Sequence, residues 1–257
     1  MQTEDYDSLY ALEDNYWWFV GMREITSALL DPYCLPAGSS QCVLDAGCGT
    51  GGNLKWLSRY AAGGKTMGID VVEEAIGFCR TRDCHLSARA SVTALPFTDS
   101  LFDLVTSFDV LGQLPSASSV EEALREMFRV LKPGGIAFVR VAAYECMRSD
   151  HDHALATKRR YNLTKLTEVM THAGFKPLRA TYANTFLFPA AAISRLVLKR
   201  IGFFAKGSDV KPLAPFLRWL NRLLAASLLL EAKWLGKPNA KSPAGLSAIC
   251  ICQKPFA

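Results

Sequence analysis

The segment VLDAGCGTGGN, residues 43–53, sets Asp45 two positions ahead of Gly47, with Gly49, Gly51 and Gly52 behind it. Glycines at this density let a backbone turn tightly and approach a ligand closely. A triphosphate-binding loop needs Gly-Lys-Ser/Thr at its end, and Gly51-Gly52-Asn53 stands there instead. The dinucleotide fingerprint is met literally by Gly47, Gly49 and Gly52, and Asp70 follows at a distance suited to a ribose. Asp45 argues against a pyrophosphate, which a carboxylate beside the loop would repel. It suits a ligand with a cationic amino group, a ribose diol and no phosphate. Asp70 would take both ribose hydroxyls by charge-assisted hydrogen bonds.

Other residues could do chemistry beside that loop. Asp109 follows an apolar run and could touch the ligand or a second reactant; otherwise it caps a helix or is solvated. Gln113 could hydrogen-bond a second reactant. Tyr16, Trp17, Trp18 and Phe19 are four consecutive aromatics. They either face a core or form a lid that excludes water and attracts a cation. Arg23 shares a helix face with Phe19 and could pair with a ligand carboxylate as a forked donor. His151 and His153 flank Asp152, and either could be a general base. A metal site would need a third ligand, and none is evident, so no metal is expected. Arg159, Arg160 and Tyr161 could bind an anionic reactant or form a solvated edge.

These residues need strands and helices to place them. Residues 41–47, 65–70, 85–91, 101–111 and 135–144 read as strands, and 53–62, 72–82 and 118–131 as helices. The last carries apolar Val120, Leu124, Met127, Phe128 and Leu131 along one side. Lys132-Pro133-Gly134-Gly135 should stop it. Alternation of this kind implies a parallel sheet with helices on both faces. Ligands of such sheets bind beyond the carboxyl ends of the strands, where Asp45–Gly52, Asp70, Ser91-Val92 and Phe108–Gln113 all fall. Later, 163–175 reads as a helix, and 177–186 and 245–254 as sixth and seventh strands.

A ligand that fits Asp45, the glycines and Asp70 is S-adenosylmethionine, with its ammonium, sulfonium and ribose diol. LDAGCGTG (44–51), GID (68–70), ALPFTDSLFDLV (94–105) and LREMFRVLKPGG (124–135) occur in order and at fitting spacing. In these four motifs the chain resembles the class I S-adenosylmethionine-dependent methyltransferases. The resemblance spans residues 41–183. It implies an α/β, Rossmann-like, seven-stranded, mostly parallel sheet with an antiparallel last strand. It implies cofactor contacts at Asp45, Gly47, Gly49, Gly51, Asp70, Val71, Ser91, Val92 and Phe108, to which Trp18 and Arg23 are added from the aromatic segment. Two departures stand out. The acid that often precedes the ALPF segment is replaced by Ser91 and Val92, and the Glu-His often found after the fourth strand by Gly112 and Gln113. EDNYWWFVGMREI (13–25), HDHALATKRRYN (151–162), AGF (173–175) and GLSAI (245–249) look like a bacterial group serving sugar, cell-envelope or secondary-metabolite pathways.

The expected organisation is a helical lid at 1–40, a cofactor-binding core at 41–183, a helical insertion at 184–241 and a returning last strand at 242–257. The expected reaction is in-line methyl transfer to a small molecule, with Tyr16, Trp17, Gln113, Arg160 and Tyr161 at the acceptor. Two rivals are an NAD-dependent oxidoreductase and a non-catalytic cofactor-binding protein. The chain has 257 residues and a net charge of +5, with ten of its bases in 195–241 against two acids. The insertion carries two apolar stretches, 188–204 and 213–230, broken by arginines and lysines and too short in charge-free length to span a bilayer. It could cap the acceptor, lie on an anionic membrane surface or form a homodimer contact. Its aromatics are not interleaved with bases, so no nucleic acid partner is expected. The acidic N-terminal stretch does not read as a signal peptide, and the eight cysteines form no C-x-x-C pair. A cytoplasmic protein with reduced thiols is expected, and Cys250 and Cys252 are read as core.

Overall fold

The computed structural model describes residues 3–34, 39–149, 152, 155–193 and 218–256. Seven strands form one sheet: β1 (Cys42–Ala46), β2 (Lys65–Asp70), β3 (Ser87–Arg89), β4 (Phe102–Phe108), β5 (Leu131–Ala142), β6 (Lys176–Ala183) and β7 (Ser247–Gln253). Their spatial order is β3-β2-β1-β4-β5-β7-β6. The first five pair in parallel, whereas β7 runs antiparallel to both β5 and β6. This is the Rossmann-like α/β sheet expected from the sequence. The order reverses between β1 and its neighbours β2 and β4, so the crevice beyond their carboxyl ends is the switch point.

The period of two along each strand decides which face a residue serves. Leu44, Val105, Val139, Cys250 and Cys252 pack on one face with α5 (Ala117–Val130) and α6 (Leu163–His172). Val43, Leu104, Phe138, Ile249 and Ile251 pack on the other. There they meet Met22, Ile25 and Leu29 of α2 (Trp17–Cys34) and Leu228 and Leu235 of α8 (Arg218–Leu235). Cys250 and Cys252 are buried, as expected.

Several boundaries differ from expectation. Helix α3 (Leu54–Leu57) is a single turn that tightens into a 3₁₀ turn over Ser58–Tyr60. Asn53 offers it no side-chain cap, and the 3₁₀ turn holds the Tyr60 side chain fully buried. Strand β5 starts at Leu131, not 135, because the Pro-Gly-Gly turn is absorbed as a slip in the pairing with β4. Helix α5 starts where Ser116 accepts the Ser119 N–H at 3.0 Å. The second apolar stretch of the insertion forms α8 and runs on to Leu235, since Leu228, Ala232 and Leu235 continue its buried stripe. The first stretch begins as α7 (Phe188–Ile193), and residues 194–217 lie outside the described residues. Among the described residues no helix is long and apolar enough to cross a membrane.

Two further helices complete the frame: α1 (Thr3–Leu12) and α4 (Glu73–Thr81). Helix α1 reaches α4 through Tyr10, which stacks on Phe78 at 4.8 Å. Helix α2 lies along α8, with Gly21 against Leu228.

Candidate functional site

A crevice of about 720 Å³ opens at the switch point. Its floor is the glycine turn after β1 and its rim the ends of β2, β4 and β5. The N-terminal helices, α7 and α8 form the cover. Gly47 and Gly49 line it with φ of +100° and +53°. A side chain at 47 would collide with Val110, so only glycine lets the loop lie this close to the end of β4.

Asp70 ends β2 on the crevice wall. Its Oδ2 accepts the Gly49 N–H at 2.9 Å and its Oδ1 the Val72 N–H at 3.0 Å. Each oxygen keeps lone-pair capacity for a diol. Burial raises its carboxyl above the ordinary value, while the backbone donors at Val72 and Gly49 oppose the rise.

Asp45 is placed differently from expectation. It is 1% exposed and does not line the crevice. Its Oδ1 accepts the Thr106 hydroxyl at 2.8 Å, and its Oδ2 is buried without a partner among the described residues. Burial pushes its carboxyl up to about 7, against the pull of Thr106 and Arg140. Its side chain is turned to Thr106 beneath the glycine turn, not to the crevice wall. Gly51 also stands off the crevice, because its backbone is pressed against Cys79.

Val71, Ser91 and Val92, the implied cofactor contacts beyond Asp70, do not line the crevice either. Val71 is 61% exposed, Val92 packs into the core, and the Ser91 hydroxyl pairs with Thr93 at 2.7 Å. Phe108 does line the crevice.

Beside it, Asp109 adopts φ +64°, a left-handed conformation that Asp tolerates better than most residues. Arg140 of β5 donates to Asp109 Oδ2 from Nε at 3.0 Å and from Nη2 at 2.7 Å. The guanidinium also lies 4.9 Å from the ring centres of both Trp18 and Phe108. Sequence reasoning read Arg140 only as part of a strand.

Tyr16, Trp17, Trp18, Phe19 and Arg23 all line the crevice. Trp17 and Trp18 also pack on the core, as one reading of the aromatic run expects. Arg23 donates to the carbonyls of Glu13 at 2.9 Å and Asp14 at 3.3 Å. Gln113 lines the crevice with no side-chain partner among the described residues.

Arg160 lines it too, but its guanidinium is committed. Nε and Nη2 grip the Asp152 carboxylate at 2.7 and 3.0 Å, and Nη1 donates to the Ala143 carbonyl at 2.9 Å. Three of its five N–H donors are thus spent inside the protein, and its charge is paired with Asp152. Tyr161 is 2% exposed inside the core and does not reach the crevice. His151 and His153 lie outside the described residues. Among the described residues no cluster of His, Cys, Asp and Glu could hold a metal ion.

Two supports went unread in the sequence. Glu13, at the end of α1, is buried and accepts the Thr50 hydroxyl from the glycine turn. Arg82 ties the same segment down, donating to Asp14 at 2.7 Å and the Tyr10 carbonyl at 2.9 Å. On the far side, the buried Glu231 of α8 accepts the Thr185 N–H at 2.9 Å, and Asn221 accepts the Trp17 N–H at 3.0 Å. Helix α8 thus holds both the start of α2 and the loop after β6. These pairs are 46 to 204 residues apart, beyond any local motif.

Residues 44–139 match the family described as a methyltransferase domain. The chain is 30% identical over 151 residues to a probable methyltransferase, ltbC, of Aspergillus luteorubrus, covering 54% of this chain and 52% of that protein. It is 29% identical over 167 residues to a probable S-adenosylmethionine-dependent methyltransferase of Mycolicibacterium smegmatis, covering 64% and 61%. The chain spans about half the length of the curated relatives it matches, between 52% and 61% for these two. The fold is shared with the solved [4+2]-cyclase SpnF at a TM-score of 0.61 and 20% identity, over 99% of this chain and 95% of that one.

Segment 44–139 is thus similar to a methyltransferase domain, and S-adenosylmethionine is the cofactor that likeness implies. The residues present fit it. Bare backbone at Gly47 and Gly49 and an acceptor-only carboxylate at Asp70 face one crevice, to which the described lining contributes three arginines and four carboxylates, a formal charge of −1. The cofactor carries one net positive charge.

Proposed function

We propose that the chain transfers a methyl group from S-adenosylmethionine to a small-molecule acceptor by direct in-line displacement. The observation that carries this reading is Asp70, with spare acceptor capacity on both oxygens, facing the side-chain-free turn at Gly47 and Gly49. Bound there, the cofactor would supply a methyl group on a sulfonium that leaves as a neutral thioether. The protein's own part is positioning and water exclusion. Asp70 holds the ribose, Gly47 and Gly49 admit the methionine portion, and Arg23 pairs with its carboxylate. Trp17, Trp18 and Phe19 close the mouth. Asp109 Oδ1 is the described group able to accept the acceptor's proton or hydrogen bond. His151 and His153 stay proposed as alternative bases.

The test is calorimetric titration with S-adenosylmethionine, S-adenosylhomocysteine and NAD, repeated with Asp70→Ala. Saturable binding of the first two, at least about tenfold weaker in the variant and absent for NAD, supports the reading. Binding of NAD alone overturns it.

A second reading concerns where the acceptor is met. Trp219, Leu223 and Leu230 of α8 are more than half exposed and Trp234 is partly so, beside exposed Arg222, Lys233 and Lys237. An apolar stripe with basic flanks suits an anionic bilayer surface. Co-sedimentation with phosphatidylglycerol vesicles but not phosphatidylcholine vesicles supports it, and equal recovery with both counts against it.

A further inference from the structure

The charges of the crevice speak to the acceptor itself. Resting on the methyltransferase reading, we infer that the acceptor is an uncharged, mainly apolar molecule offering one O–H or N–H group to Asp109 Oδ1.

The argument starts with the cations. Three arginines line the crevice: Arg23, Arg140 and Arg160. Arg160 is buried, puts three of its five N–H donors on Asp152 and the Ala143 carbonyl, and has its charge paired with the Asp152 carboxylate. Arg140 is buried, spends two donors on Asp109 Oδ2, and lies against the faces of Trp18 and Phe108. Arg23 is held by the carbonyls of Glu13 and Asp14. Four carboxylates line the same space: Glu13, Asp70, Asp109 and Asp152. The single net negative charge is matched by the single net positive charge of S-adenosylmethionine. Among the described residues, an anionic acceptor would therefore enter a desolvated space with no unpaired counter-charge, which is costly.

The rest of the wall is apolar. Trp17, Phe19, Met22, Leu187, Ala191 and Leu224 line it, and flat or extended apolar molecules fill such a space by dispersion and water release. Asp109 supplies the polar fix. Its Oδ2 takes both bonds from Arg140, while its Oδ1 has no partner among the described residues. The ion pair locks the carboxylate, so one oxygen stays available to an acceptor's hydrogen. An anion would meet that oxygen as a like charge.

The test uses three probes of one ring system: 2-naphthol, 2-naphthoate and 2-naphthyl phosphate. Each is titrated calorimetrically into the protein saturated with sinefungin, whose amino group keeps the cofactor's net positive charge, after binding of S-adenosylhomocysteine has been measured. The neutral phenol is expected to bind at least about tenfold more tightly than either anion. In Asp109→Asn, Arg140 loses its counter-charge, and the gap is expected to close to within about threefold. Anions binding as well as the phenol in wild type, or no saturable phenol binding in the loaded protein, overturns the inference. An Asp109→Asn gap unchanged from wild type removes the Arg140–Asp109 pair as its cause. Failure of S-adenosylhomocysteine to bind at all is a separate result, because it overturns the methyltransferase reading beneath it.

Discussion

The Cα of Gly21 stands so close to α8 that a methyl group there would lie 2.5 Å from Leu228 Cβ. This contact joins the N-terminal lid to the insertion and seats both on the Phe138 face of the sheet. Gly21→Ala should force the helices apart. Overpacking of this kind costs about 1–3 kcal/mol, or roughly 2–10 °C in Tm for a chain of this size. Thermal unfolding checks it, and an unchanged Tm would mean that α8 is not held where it is described.

Glu13 should govern how firmly the lid sits on the glycine turn. Glu13→Ala removes the acceptor for the Thr50 hydroxyl and a neighbour of Arg82. Leaving such groups unpaired costs roughly 1–3 kcal/mol. Amide exchange across residues 3–20 is expected to speed up, with several-fold weaker binding of S-adenosylhomocysteine. Unchanged exchange in that segment would show that the lid is fastened elsewhere.

Asp45 carries a pH dependence of definite sign. Burial lifts its carboxyl from 3.8 to about 7 in the folded chain. A raised acid is stabilising in its protonated form, so its contribution is full below about pH 4 and is lost as pH rises towards 7. Above 7 the fold carries an ionised, half-partnered carboxylate. Asp45→Asn, which can still accept from Thr106, should flatten that loss. Urea midpoints for wild type and variant at pH 5 and pH 8 measure it. Parallel falls in the two proteins would remove Asp45 as the source.

What was legible in the sequence was local or periodic. The two-residue alternation in Val43-Leu44, Leu104-Val105 and Phe138-Val139 announces strands buried on both faces. The stripe of Val120, Leu124 and Met127 announces a helix. Gly47 and Asp70 were legible because a turn and a strand end tie each residue type to one place. What failed depended on partners far along the chain. Arg160 reads as a free cation until Asp152 closes on it, and Tyr161 reads as a loop residue until the core takes it in. Arg140 sits in an apolar strand, and nothing within ten residues reveals that Asp109, 31 positions away, claims it. Asp45 was legible as part of the glycine loop, but its bond to Thr106, 61 positions away, was not.

The antiparallel strand has a consequence for how the protein is made. Ser247–Gln253 lies between β5 and β6, although both are synthesised long before it. Strand β6 hydrogen-bonds to no other strand of the sheet. Until residue 253 has left the ribosome, β5 presents a bare edge and β6 has nothing to pair with. The nascent chain can therefore build the half from β1 to β5 early, but the wall that carries the crevice cover must wait until β7 has emerged.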